Sequence, residues 1–151
     1  MVSVLRSLRY RARLKVLAAD PSKYFLLVSD TRTRAQIGFY GWISDYPSET
    51  GFLPSLLACS AFVPGRPDLT TNASFFCDRR IDRLMARAAA VEAVNPAASH
   101  ALWQRVEREL LAAAPIVPTE NPRSIDIVAK RVGNYEYHPQ WNALVDQLWL
   151  R

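Results

Sequence analysis

Asp45 stands three residues after Trp42, where the apolar run Phe39-Tyr40-Gly41-Trp42-Ile43 gives way to the turn Tyr46-Pro47-Ser48. A carboxylate at such a junction has the form of a ligand site, because ligands of α/β sheets gather at strand ends. It has equally the form of turn chemistry, since an Asp before a turn bonds its own backbone. Cys59 and Cys77 flank a loop rich in Pro, Asn and Thr. A bridge between them would close about 19 residues and contribute on the order of 3 kcal/mol if unstrained; two reduced, buried thiols are the alternative. His100 and His138 have no zinc-ligand spacing with these cysteines, and no metal is expected. The glycines at 38, 41, 51, 65 and 133 form neither a phosphate loop nor a dinucleotide fingerprint, so no cofactor is expected. There is no nucleophile elbow and no marked pair of carboxylates for acid and base work. The chain is therefore expected to bind rather than to catalyse.

The elements that must position these residues follow from local signals. Ala35 to Ile43 is β-branched and aromatic, and predicts a strand with Ile37, Phe39 and Ile43 on one face and Tyr40 and Trp42 on the other. Ser48 offers an N-cap for a short helix over Gly51 to Cys59, which Pro54 forces to bend or begin late. Before this, Val2 to Arg9 predicts the end of a helix, Arg11 to Leu17 a strand, and Pro21 to Asp30 a short amphipathic helix. Ser60 to Ser74 holds Pro64, Gly65, Pro67 and Asn72 and reads as an irregular surface loop. Asn72-Ala73-Ser74 fits a glycosylation triplet, a pattern common by chance. Asp78 is a candidate N-cap for a helix through about Val94, with Ile81, Leu84, Met85 and Ala88 at helical spacing. Asn95-Pro96 opens another, with Leu102, Trp103, Val106, Leu110 and Leu111 inward, ended by Ala114-Pro115. An antiparallel helix pair is the expected result. Ile116 to Val117, Ile125 to Val132 and Val145 to Leu150 read as strands.

A chain of 151 residues, half of them hydrophobic, is about one domain and buries a core. No stretch approaches the roughly 18 apolar residues of a membrane span. The net charge of +5 is concentrated early: the balance is +6 through Arg34 and −1 thereafter. Arg9, Arg11, Arg13 and Lys15 alternate with apolar residues over Tyr10 to Leu17, the pattern of a half-buried strand with a solvated face. The basic beginning lacks the uninterrupted apolar core of a secretory signal. A small nucleic-acid-binding protein is the third and least supported reading; it would require affinity that falls steeply with salt.

The succession Gly41-Trp42-Ile43-Ser44-Asp45-Tyr46-Pro47, Phe52-Leu53, Asn72-Ala73-Ser74-Phe75-Phe76-Cys77-Asp78 and Ile81-Asp82 resembles the family 5 extracellular solute-binding proteins, receptors of ABC importers for peptides, nickel and opines. Leu102 to Glu107, Leu110-Leu111 and Ala114 to Pro118 are similar to the helix and proline-bounded strand that follow there. Val132 to Tyr135, His138-Pro139 and Leu148-Trp149 are similar to the closing segment. The resemblance implies an α/β fold: the C-terminal portion of a bilobal periplasmic-binding-protein type II-like architecture, a mixed sheet with flanking helices, spanning residues 1–151 without the N-terminal lobe. It further implies that Asp45 pairs with a peptide's α-ammonium group, with Trp42, Tyr40 and Tyr46 as the surrounding ligand-binding candidates. Arg9 stands where the family has a helix-closing glycine, and Arg79 where a proline often follows the Asp. A Cys59–Cys77 disulfide is what actinobacterial members would carry. The implied partners are a peptide-like ligand and the importer's permease subunits, with no nucleic acid, and with membrane attachment only through an absent N-terminal anchor or the permease. The implied location is extracytoplasmic. The competing expectation is a sensory module of the same fold associated with a transcriptional regulator, which would keep both thiols reduced in the cytoplasm.

Overall fold

The computed structural model describes residues 1–16, 20–120, 123 and 125–151. Two helices form its centre: α4 (Arg79–Glu92) and α5 (Pro96–Ala113). Three others, α1 (Val2–Ser7), α2 (Pro21–Val28) and α3 (Leu53–Leu57), are short. Both long helices begin as their sequences require. Asp78 accepts the backbone N–H groups of Arg80 and Ile81, and the Asn95 side chain accepts that of Ala98 one residue before Pro96. The pair encloses the core: Ile81, Met85 and Ala88 from α4 lie against Trp103, Val106 and Leu110 from α5, with Leu56 and Leu57 of α3 added. Ala88 permits close approach, and there the buried Ser99 hydroxyl donates to the Ala88 carbonyl at 2.9 Å.

The helix ends carry an unusual feature. After α1, the Tyr10 N–H bonds the Leu5 carbonyl and the Arg9 N–H bonds that of Arg6, the two closures of a Schellman cap. Arg9, at φ 67°, holds the left-handed position that glycine favours. Ala114, at φ 52° and ψ 42°, closes α5 in the same region just ahead of Pro115. The break predicted at Ala114-Pro115 is therefore present and is made by a strained alanine.

The expected mixed sheet is not found among the described residues. Strand pairing among the described residues is confined to two antiparallel ribbons of two strands each. In one, β1 (Val132–Gly133) faces β4 (Trp149–Leu150); in the other, β2 (Tyr137–His138) faces β3 (Asn142–Ala143). Gly133 is obligatory, because an added Cβ would lie 2.5 Å from the Trp149 ring. The predicted strands over Ala35 to Ile43, Ile116 to Val117 and most of Ile125 to Val132 are without regular structure, as is Arg11 to Val16; Leu17, the end of that last strand, lies outside the described residues. Val145 to Leu150 divides into a 3-10 turn and β4. The physical reason is common to all of them. A strand is a paired object, and β-branched composition does not supply the neighbour that accepts its hydrogen bonds. The architecture is thus a mixed helix-and-strand fold dominated by helices.

Relieving the left-handed strain at the end of α5 tests this account of the cap. Ala114→Gly should raise stability by up to about 1 kcal/mol, the Cβ penalty it removes exceeding the entropy that glycine adds to the unfolded chain. Thermal unfolding followed by circular dichroism reads this as a higher midpoint.

Candidate functional site

Although Ala35 to Ile43 is not a strand, its side chains alternate as predicted. Tyr40 and Trp42 are half-buried and pack on the core, whereas Ile37, Phe39 and Ile43 are 59%, 64% and 77% exposed. The Tyr24 hydroxyl ties the segment to α2 at Phe39. Tyr24 Oη accepts the Phe39 N–H at 2.9 Å and donates to the Phe39 carbonyl at 2.8 Å, replacing the neighbour that a sheet would provide. Tyr40 meets Phe25 edge to face, with ring centroids 5.2 Å apart. Burial pushes the Tyr40 phenol above its ordinary pKa, and a hydrogen bond with Ser29 offsets this in part.

Trp42 is anchored at both ends: its ring lies on the core and its Nε1–H donates to the Gly51 carbonyl at 3.0 Å. Between these points the chain turns. Ser44 Oγ donates to the Tyr46 carbonyl at 2.7 Å, and the Ser48 N–H bonds the same oxygen at 2.8 Å. Ser48 then caps a 3-10 turn over Glu49–Gly51 by accepting from Thr50 N–H, and α3 begins late, at Leu53 with Pro54 in its first turn. Gly51 is needed where the turn folds back, since a Cβ there would lie 2.7 Å from Ser44 Oγ and 3.3 Å from the Tyr46 ring.

Asp45 sits within this turn, exposed and without a hydrogen bond or ion pair among the described residues. The turn-chemistry reading of Asp45 therefore does not hold: Ser44 and Ser48 close the turn. The four candidates occupy two environments. Tyr40 and Trp42 are directed at the core, and Asp45 and the half-exposed Tyr46 at solvent. A groove of roughly 350 Å³ lies elsewhere, between α3 and α4, floored by Pro54, Ala58, Met85 and Ala89, with Thr50 and Asp82 as polar members. Asp82 is already engaged there, accepting the Cys59 N–H at 3.2 Å. No group of His, Cys, Asp and Glu suited to a metal ion occurs among the described residues.

Cys59 and Cys77 form a disulfide, with Cα atoms 4.5 Å apart. It joins the end of α3 to the start of α4, and inside the loop it closes lies Asn72, which the sequence marked only as a loop residue and part of a motif, with no structural role. Asn72 is fully buried; its Nδ2 donates to the carbonyls of Ala58 at 3.1 Å and Phe76 at 2.8 Å, and its Oδ1 accepts the Ser74 hydroxyl at 2.7 Å. The triplet that resembled a glycosylation acceptor is a buried polar clamp. Its position inside an irregular, cysteine-bounded loop was the available signal, because such a loop must satisfy its backbone carbonyls without a ladder. Compared with protein families, with curated proteins and with solved structures, the chain matches none of them.

Removing the clamp takes one donor each from the Ala58 and Phe76 carbonyls and the acceptor from the Ser74 hydroxyl, while Ala58 keeps its bond from the Ala61 N–H. Asn72→Ala should cost about 2–4 kcal/mol, seen as a lower urea midpoint with the disulfide intact. Expressed in a host that glycosylates Asn-x-Ser sites, the folded protein should carry no glycan at Asn72, as intact mass would show.

Proposed function

We propose that this chain is the C-terminal, ligand-contacting portion of an extracytoplasmic solute-binding protein of family 5, serving an ABC importer for peptide-like solutes. Its action is binding, with the permease subunits of the importer as its protein partners. Asp45 receives the α-ammonium group of the ligand. Tyr46 is the exposed aromatic beside it, while Trp42 and Tyr40 act from behind by fixing the segment on the core.

The observation that carries this reading is the state of Asp45: an exposed carboxylate, bonded to no described residue, on a turn whose backbone other residues hold. Such a group can accept a charge-assisted bond from an ammonium without giving up an internal one. Because the turn is already ordered, little conformational entropy is lost on binding. The disulfide supports an oxidising compartment and favours this reading over a cytoplasmic sensory module with reduced thiols. No helix among the described residues is long and apolar enough to cross a membrane, which fits a protein that works beside its permease. The exposed faces of Ile37, Phe39 and Ile43 fit a chain that packs against further structure.

Calorimetric titration with a dipeptide and its N-acetylated form tests the role of Asp45. The free amine should bind at least about tenfold more tightly, and Asp45→Ala should remove that preference while leaving the circular dichroism spectrum unchanged. Equal affinity for both peptides, a preference that survives Asp45→Ala, or no binding of either would remove the proposal.

A further inference from the structure

The outward side of the α4–α5 pair has a chemistry that the ligand-binding reading leaves unused. At about 100° per residue, Arg79, Arg83 and Arg87 fall within roughly a quarter turn of α4, opposite Ile81, Met85 and Ala88, which face the core. Arg80 lies at the edge toward α5, where it pairs with Glu109. Arg105 meets the same carboxylate at 3.0 Å from its own helix, and Arg108 continues the basic surface outward. Six arginines thus lie on this side; Arg80 and Arg105 share Glu109, Arg80 also lies 3.7 Å from Asp78, and Arg79 lies 3.8 Å from Asp82. The hydrogen bond from Arg105, followed by that from Arg80, holds the Glu109 carboxyl below the usual range, so at neutral pH it is occupied by cations already present. Arg83, Arg87 and Arg108 are exposed and have no hydrogen bond or ion pair among the described residues.

Among the described residues this side is exposed. The elements that pack on the helix pair do so elsewhere: α3 along the groove containing Asp82, Ala86 and Ala89, and the Glu49–Gly51 turn beside His100, 3.9 Å from Glu49. Helix stability does not account for the pattern. Like charges four residues apart, as in Arg79-Arg83-Arg87, repel, and cations in the first turn oppose the helix dipole.

We propose that this arginine face is a docking surface for an anionic phospholipid bilayer, on which the α4–α5 pair lies flat. Guanidinium groups bind phosphate oxygens by paired N–H donors, and a row of them on a rigid helix needs no rearrangement to do so. The residues between them include Ala90, Ala101 and Ala112, all exposed, which let the face approach a surface closely. No aromatic ring stands among these arginines to stack on bases, as single-stranded nucleic acid would require. Leu111, three residues beyond Arg108 on α5, is 47% exposed at the margin of this face. The disulfide fits compartments where membrane phosphate is the abundant polyanion.

Co-sedimentation of the whole chain with phosphatidylcholine vesicles, with and without phosphatidylglycerol, tests the surface. Binding should require phosphatidylglycerol and weaken steeply with added salt. The variant R83E/R87E/R108E should lose at least about tenfold in vesicle affinity. Because those side chains make no internal bond, it should retain its helical spectrum; R83Q/R87Q/R108Q, which avoids new charge, should show the same direction of loss. Reversing Arg11, Arg13 and Lys15 instead should leave most of the binding. Vesicle binding that is absent, unchanged in both helix variants, or lost only with the N-terminal reversal overturns the proposal. So does tighter binding of an RNA or DNA oligonucleotide than of vesicles at equal phosphate concentration.

Discussion

The seam between α4 and α5 is the contact on which the remaining structure rests. Ala88, wholly buried, lets the helices approach closely enough for the Ser99 hydroxyl to bond the opposite backbone, and Ile81, Met85, Trp103, Val106 and Leu110 close around that point. Other elements are secured to this pair in turn. Leu56 and Leu57 pack α3 on it; the disulfide and the Cys59–Asp82 bond tie the end of α3 to α4; Tyr40 and Trp42 lay the preceding segment against the same core. Burying a large aliphatic or aromatic side chain contributes about 1.5–3 kcal/mol, so a seam with several of them can hold connections that have little regular structure.

The loop between Cys59 and Cys77 shows how such a connection is held. Its backbone has no ladder; turn bonds such as those of Thr71 and Asn72 N–H to the Ala61 carbonyl are supplemented by side chains, Asn72 serving Ala58 and Phe76 and the Thr70 hydroxyl bonding the backbone of Val63 and Arg66. Phe62 and Phe75, with centroids 5.0 Å apart, pack the loop on itself. Tyr24 does the same for Phe39. Polar side chains in these places act as substitutes for secondary structure, which makes them costly to remove in a way that their position in a loop does not advertise.

This difference explains what was legible in the sequence. The long helices were, because their signals are local: Asp78 and Asn95 cap within three residues of themselves, Pro96 fits only a first turn, and the apolar spacing of Ile81, Met85 and Ala88 already defines a face. The strands were not, because Ile37, Phe39 and Ile43 carry the composition of a strand while pairing depends on a partner elsewhere. The alternation nonetheless survived, placing Tyr40 and Trp42 inward and the three others outward. At the candidate site, Asp45 was legible as an acid at a turn, and Ser44 and Ser48 decide that it does not close that turn. Asn72 was hidden because its partners, Ala58 and Phe76, are carbonyls that any residue type provides.

The split between the two sides of the 40–46 segment bears on how its residues divide their work. Trp42 gives its indole N–H to Gly51 and its ring to the core, so its removal loosens the turn before it alters any ligand contact. Asp45 contributes nothing to that framework, and a carboxylate left unbonded gains nothing for the fold. Stability therefore explains the tryptophan and not the acid. The arginine side of α4 presents the same asymmetry with opposite charge: Arg80 and Arg105 are engaged by Glu109, while Arg83, Arg87 and Arg108 are not. In both places the groups that hold the fold are adjacent to charged groups that do not. Those unused charges are where interaction with something outside the chain costs the fold least.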